Sequence, residues 1–189
     1  AAPSAGAPFT DVLGDDIWTQ GIPGSDLPLA SPSVFLYDEA TPGDLDLGYT
    51  APARLDQPLG IGRGAFVYVY DDADLLTTGV QSPFPKRLTA AGRPPLVDFE
   101  WAASGADAPL DYTDTGAPAD DGWNLLGNPF GSWFDWDTVE LANVNAPVYV
   151  YDDAIASYRT RSSGVGNLAG GVIGPFQGFW VQANAASPT

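Results

Sequence analysis

Two stretches of this chain repeat at one fixed spacing, and that constrains the fold more than any other feature. Val34-Phe35-Leu36-Tyr37-Asp38-Glu39-Ala40 aligns with Val148-Tyr149-Val150-Tyr151-Asp152-Asp153-Ala154, an offset of 114 residues. At the same offset, Leu59-Gly60-Ile61-Gly62-Arg63-Gly64-Ala65-Phe66-Val67 lies over Ile173-Gly174-Pro175-Phe176-Gln177-Gly178-Phe179-Trp180-Val181. Separated blocks that share an offset with no net gap point to an internal duplication. Pro3 and the segment after it match Pro129 onward at an offset of 126, so the first copy carries twelve extra residues. The loop Gly21-Ile22-Pro23-Gly24-Ser25-Asp26-Leu27-Pro28 is the expected place for them, because surface loops tolerate insertion.

Each copy reads as short strands between turns. In the second copy, Trp123-Asn124-Leu125-Leu126-Gly127 is a strand stopped by the turn pair Asn128-Pro129. Val148-Tyr149-Val150-Tyr151 follows, ended by Asp152-Asp153, and Tyr158-Arg159-Thr160-Arg161 is its expected surface partner. Five glycines within residues 164–174 lead to Pro175 and the strand Gly178-Phe179-Trp180-Val181-Gln182-Ala183. The longest strand-like run in the first copy is residues 65–70. Gly64 and Gly178 stand just before aromatic strands, where a bulge or a close backbone approach is expected. Between the copies, Arg87-Leu88-Thr89-Ala90 and the alternating Leu96-Val97-Asp98-Phe99-Glu100-Trp101 are further strand candidates. Only residues 137–142 carry helical promise. The expected fold is all-β, a jelly-roll-like β-sandwich of two pseudo-equivalent repeats. Residues 1–101 form the first with its connecting strands, and residues 102–189 form the second, packed together as one unit.

Composition narrows the chemistry. The 189 residues include no His, Cys or Met, which removes disulfides, thiolate sites, Cys nucleophiles and His-dependent mechanisms. Gly and Pro total 40 (22 + 18), yet 23 aromatics (nine Phe, eight Tyr, six Trp) support a packed core rather than disorder. No apolar run approaches the length of a membrane span. The 21 Asp and three Glu outnumber six Arg and one Lys, for a net charge of −17, so a basic groove for nucleic acid is missing. Asp71-Asp72-Ala73-Asp74 and Asp152-Asp153 offer oxygen ligands for calcium, although neither matches a spaced calcium loop. The favoured reading is a solvated carboxylate surface, of the kind that suits a halophilic setting where salt screens self-repulsion.

The segment Asp121-Gly122-Trp123-Asn124-Leu125-Leu126-Gly127-Asn128-Pro129-Phe130, with Phe134-Asp135-Trp136-Asp137 after it, is the most distinctive in the chain. It resembles the G-W-N-L-x-G-N-P block of large secreted proteins exported by the type IX secretion system. As in those proteins, residues 148–152 and 173–181 follow as strand blocks, and the first copy resembles a weaker version of the pattern. The resemblance implies an extracellular or cell-surface location and a non-catalytic structural or adhesive module. Its partners would be other domains of a parent protein or neighbouring surface proteins, without membrane insertion. It transfers no catalytic residue.

An asymmetry goes with this. The second copy opens on the strand 123–127, whereas only Ala1-Ala2 precedes Pro3 in the first. The expectation is that the chain is a segment of a longer polypeptide, or that a partner copy donates the strand in a self-assembling subunit.

Among possible sites, Asp135 and Asp137 flanking Trp136 form the tidiest carboxylate pair for glycoside chemistry. Asp-rich turns, however, are mostly capping devices, so no catalytic residue is assigned and the protein is read as a non-enzyme. Trp133, Phe134, Trp136 and Trp18 lie in or near loops and are the ligand-binding candidates, rings that a polysaccharide could stack on. Burial as plugs at the sandwich ends is the competing fate. Phe66, Phe179 and Trp180 are read as core or inter-sheet residues. Arg63 and Gln177 occupy equivalent positions at a sheet end.

Overall fold

Alternation within the second copy's strands sorts two kinds of side chain onto two faces. In Val148-Tyr149-Val150-Tyr151, the valines are buried while the tyrosines are partly open. The computed structural model describes residues 8–41, 43–88, 98–103 and 108–189. The expectations for Pro3, for Thr89-Ala90 and for Leu96-Val97 lie outside the described residues.

One short helix, α1 (Phe9–Leu13), precedes the strands. The strands are β1 (Val34–Tyr37), β2 (Tyr49–Thr50), β3 (Phe66–Val67), β4 (Trp101–Ala102), β5 (Ala108–Pro109) and β6 (Trp123–Gly127). Then come β7 (Phe134–Asp135), β8 (Val148–Asp152), β9 (Ser157–Ser162), β10 (Val165–Gly166), β11 (Val172–Ile173) and β12 (Gly178–Gln182). The fold is all-β. The largest sheet has five strands in the order β10-β9-β8-β12-β6, antiparallel throughout. A second sheet runs β2-β1-β3, and the pairs β11-β7 and β4-β5 complete the set, the last one parallel.

The 114-residue offset reappears in the pairing. Phe35 stands opposite Phe66 in the smaller sheet, and Tyr149 stands opposite Trp180 in the larger. Those two pairs occupy matching positions of the sequence repeat.

Each region buries its own core. Around β1, the cluster includes Phe9, Leu13, Ile17, Ile22, Val34, Leu55 and Leu59. Around the five-stranded sheet, it includes Leu126, Trp136, Val148, Val150, Ile173, Phe179 and Val181. Full burial of such side chains contributes about 1.5–3 kcal/mol each. Trp101 joins the second cluster, although it stands at the end of the span expected for the first repeat.

The seam between the regions runs along the outer edge of β6. Gly64 N–H donates to the Leu125 carbonyl at 3.0 Å, Gly127 N–H donates to the Gly62 carbonyl at 2.9 Å, and Arg63 bridges Leu126. Thus β6 pairs with β12 on one edge and with residues 62–64 on the other. Within the chain itself, the strand of the second copy also serves the first, and its edge is not left open. A Cβ on Gly64 would lie 2.5 Å from the Leu126 carbonyl oxygen, so this glycine allows a close backbone approach. At Gly178 a Cβ would meet nothing nearer than 3.8 Å, so close approach does not account for that glycine.

Elsewhere the strands are shorter than the sequence pattern predicts. The run 65–70 is a strand only at Phe66–Val67. Residues 98–100 lie outside any strand, and the helical promise of 137–142 reduces to the 3₁₀ turn Trp136–Thr138. The Asp135 carboxylate accepts from Asp137 N–H at 2.9 Å there, a cap that starts the turn without extending it. Loop 21–28 is pinned by Asp26, whose carboxylate accepts from Thr19 N–H and Thr19 Oγ1–H, both at 2.8 Å. No helix among the described residues is long and apolar enough to cross a membrane.

Candidate functional site

The two sheets meet through aromatic rings rather than aliphatic side chains. Trp180 of β12 packs edge-on against Tyr37 of β1, with centroids 4.6 Å apart and planes at 84°. It also meets Tyr49 of β2 at 5.9 Å and 77°. Phe66 of β3 contacts Tyr151 of β8 at 5.7 Å. Strand alternation explains the division of labour: β8 and β12 send Val148, Val150, Phe179 and Val181 into the core and Tyr149, Tyr151 and Trp180 the other way. Edge-to-face pairs of this kind add about 0.5–1.5 kcal/mol beyond area burial.

Glu39, two residues past the end of β1, fastens the two regions. Its carboxylate accepts from Thr113 N–H at 2.7 Å, Thr113 Oγ1–H at 2.8 Å and Gly122 N–H at 3.0 Å. Hydrogen bonds to a charged acceptor are among the stronger ones in proteins.

Where the aromatic layer reaches the surface it leaves a cleft of about 300 Å³. Tyr37, Tyr49, Trp123, Tyr149, Tyr158 and Trp180 line it, with Leu45 and Asp46 at one side. Burial, followed by the carboxylates of Glu39, Asp120, Asp46 and Asp38, pushes the Tyr37 phenol from 10.0 up to about 12. Burial, followed by the influence of the neighbouring Tyr158, likewise raises the Tyr49 phenol. Tyr37 and Tyr49 are therefore neutral near pH 7. Among the described residues, no Lys or Arg lines the cleft.

A second cavity, about 750 Å³, opens on the other face of the large sheet, against Phe99, Trp101, Phe130, Phe134, Trp136 and Phe179. Of the four aromatics singled out from sequence, Phe134 and Trp136 lie in its wall. Trp136 is 6% exposed and donates from Nε1 to the Ala146 carbonyl at 2.9 Å. Trp18 is 3% exposed within the first region, while Trp133 stands 64% exposed in its loop. The four rings are not gathered onto one open platform. The cleft aromatics were legible only in part. Tyr149 and Trp180 follow the strand period, but the meeting of Tyr37 and Tyr49 with Trp180 depends on how the sheets stack.

The acidic candidates are engaged in holding backbone and bases. The Asp137 carboxylate pairs with Arg161, Nε to Oδ2 at 2.9 Å, and accepts from Gly164 N–H at 3.0 Å. The Arg161 guanidinium holds the Asp137 carboxyl below the usual carboxylate range. Asp72 accepts from Gln81 N–H at 2.8 Å and from Asp74 N–H at 3.1 Å. Asp152 accepts from Arg159 and from Ala154 N–H. Among the described residues no three carboxylates converge as a metal would require, and the two stretches considered for calcium act as turn and strand-end clamps. Gln177 accepts from Gly174 N–H at 2.8 Å through its side chain, closing the turn before β12.

Both asparagines of the Gly-Trp-Asn-Leu-Leu-Gly-Asn-Pro block have structural partners. Asn124 accepts from Asp111 N–H at 3.0 Å and donates to the Asp111 and Gly122 carbonyls at 2.8 and 2.9 Å. Asn128, fully buried, donates to the Ser132 and Gly174 carbonyls at 2.9 and 2.8 Å and accepts from Phe130 N–H at 2.9 Å. Comparisons with protein-family models, with curated proteins and with solved structures gave no match to this chain.

Proposed function

We propose that the protein is a non-catalytic structural or adhesive module of a larger extracellular protein, built as a sandwich of two pseudo-equivalent halves and exported by a type IX-like route. The observation that carries this reading is the seam. Glu39, the doubly paired β6 and the aromatic layer commit charged, backbone and ring groups to joining two regions. The matching Phe35–Phe66 and Tyr149–Trp180 pairs support the duplicated design. The export route rests on the resemblance of residues 121–137 alone. Asp135 and Asp137, the best acid pair by sequence, support a structural role through the cap and the Arg161 pair.

A panel of glycoside, ester and peptide substrates tests the proposal. The expected outcome is no turnover by the purified protein. Hydrolysis that disappears in Asp135→Asn or Asp137→Asn would overturn it.

A further inference from the structure

We propose that the cleft between the sheets binds a quaternary ammonium head group. This goes beyond the structural role above, which stands or falls independently of it. Three features of the cleft converge on that ligand.

The first is the shape of the aromatic lining. Trp180 meets Tyr37 at 84° and Tyr49 at 77°, and Trp123 meets Tyr149 at 60° with centroids 5.3 Å apart. Rings at such angles do not make one flat stacking platform, and several of them edge a single cleft. Boxes of Trp and Tyr attract cations through the negative faces of the rings, Trp most strongly.

The second is charge. Among the described residues, the lining carries one acidic side chain, that of Asp46, and no basic one. Asp38, Glu39 and Asp120 lie close enough to act on Tyr37. With a net charge of −17 behind them, the field draws cations in and repels anionic ligands.

The third is the shortage of acceptors. A primary ammonium brings three N–H donors that must be satisfied once desolvated. Here the lining carries one carboxylate among the described residues, that of Asp46, and the nearby Glu39 carboxylate already accepts from Thr113 and Gly122. A methylated nitrogen has no N–H to satisfy and needs only ring faces and a nearby carboxylate. The volume of about 300 Å³ lies at the small end of ligand sites and admits such a head group.

Titration with tetramethylammonium chloride, followed by tryptophan fluorescence at constant ionic strength, tests the proposal. Parallel titrations use tert-butanol (a neutral molecule of similar shape), methylamine hydrochloride and a soluble glucan oligosaccharide. The expected result is a saturable response to tetramethylammonium that exceeds the other three. Removing one ring with Tyr158→Ala should weaken it about fivefold. Asp46→Asn, a change at an exposed turn, should weaken it severalfold, with circular dichroism confirming that both variants remain folded. The proposal is overturned by a non-saturable response, or by equal binding of tert-butanol or methylamine. It is equally overturned by tighter binding of the oligosaccharide, or by affinity that Asp46→Asn and Tyr158→Ala both leave unchanged.

Discussion

A single absent atom sets how closely the two regions approach. A Cβ at Gly64 would stand 2.5 Å from the Leu126 carbonyl oxygen and 2.8 Å from Leu125 Cγ, and backbone cannot yield as a flexible side chain can. Gly64→Ala should therefore pry residues 62–64 off β6 and destabilise the protein by about 1–3 kcal/mol, read from the urea midpoint. Sequence reasoning marked that glycine for a bulge or a close approach, because a glycine ahead of an aromatic strand has few other uses. At Gly178 close approach is not the reason, since a Cβ would meet only ordinary contacts at 3.8 Å. Asn128 shows the opposite balance. Its place in an Asn-Pro turn was legible, but its complete burial was not, because the carbonyls of Ser132 and Gly174 come from segments far apart in sequence.

The longer strands of the second copy, β6, β8, β9 and β12, were legible almost to the residue because turn residues bound each run, whereas its two-residue strands β5, β7, β10 and β11 were not. Those of the first copy were not. Residues 65–70 alternate as well, yet only Phe66 and Val67 find a partner strand, because pairing needs a neighbour and pattern alone cannot supply one. The aromatics divide in the same way. A loop position drew attention to Trp18 and Trp136, whereas tertiary packing buried both.

At this scale the aromatic layer also has a pH signature. The Tyr37 phenol is raised from 10.0 to about 12, and Tyr49 is raised in the same direction. As pH climbs past 10 the unfolded chain releases these protons first, while the folded chain holds them. Stability from the neutral phenols is thus fully present below pH 10 and drains away between 10 and about 12. Urea midpoints across that window should fall for the natural protein and fall less for Tyr37→Phe.

Over the whole molecule, the two cores are tied by a carboxylate that neither core contains. Glu39→Ala removes the acceptor for Thr113 and Gly122, with an expected loss of about 2–3 kcal/mol. Unfolding followed by Trp fluorescence and by far-ultraviolet circular dichroism should coincide in the natural protein. In Glu39→Ala the two transitions should separate, because the regions then melt with less coupling. Coincident transitions in the variant would show that β6 and the aromatic rings couple them unaided.

Sharing β6 also orders events in time. A ribosome delivers residues 62–64 long before Trp123–Gly127, and the strand that serves both neighbours is complete only at residue 127 of 189. Until then the residues of the first core are all present, but the strand that closes their border is not. The nascent chain therefore waits, unfinished at one edge, for a piece encoded in its second half.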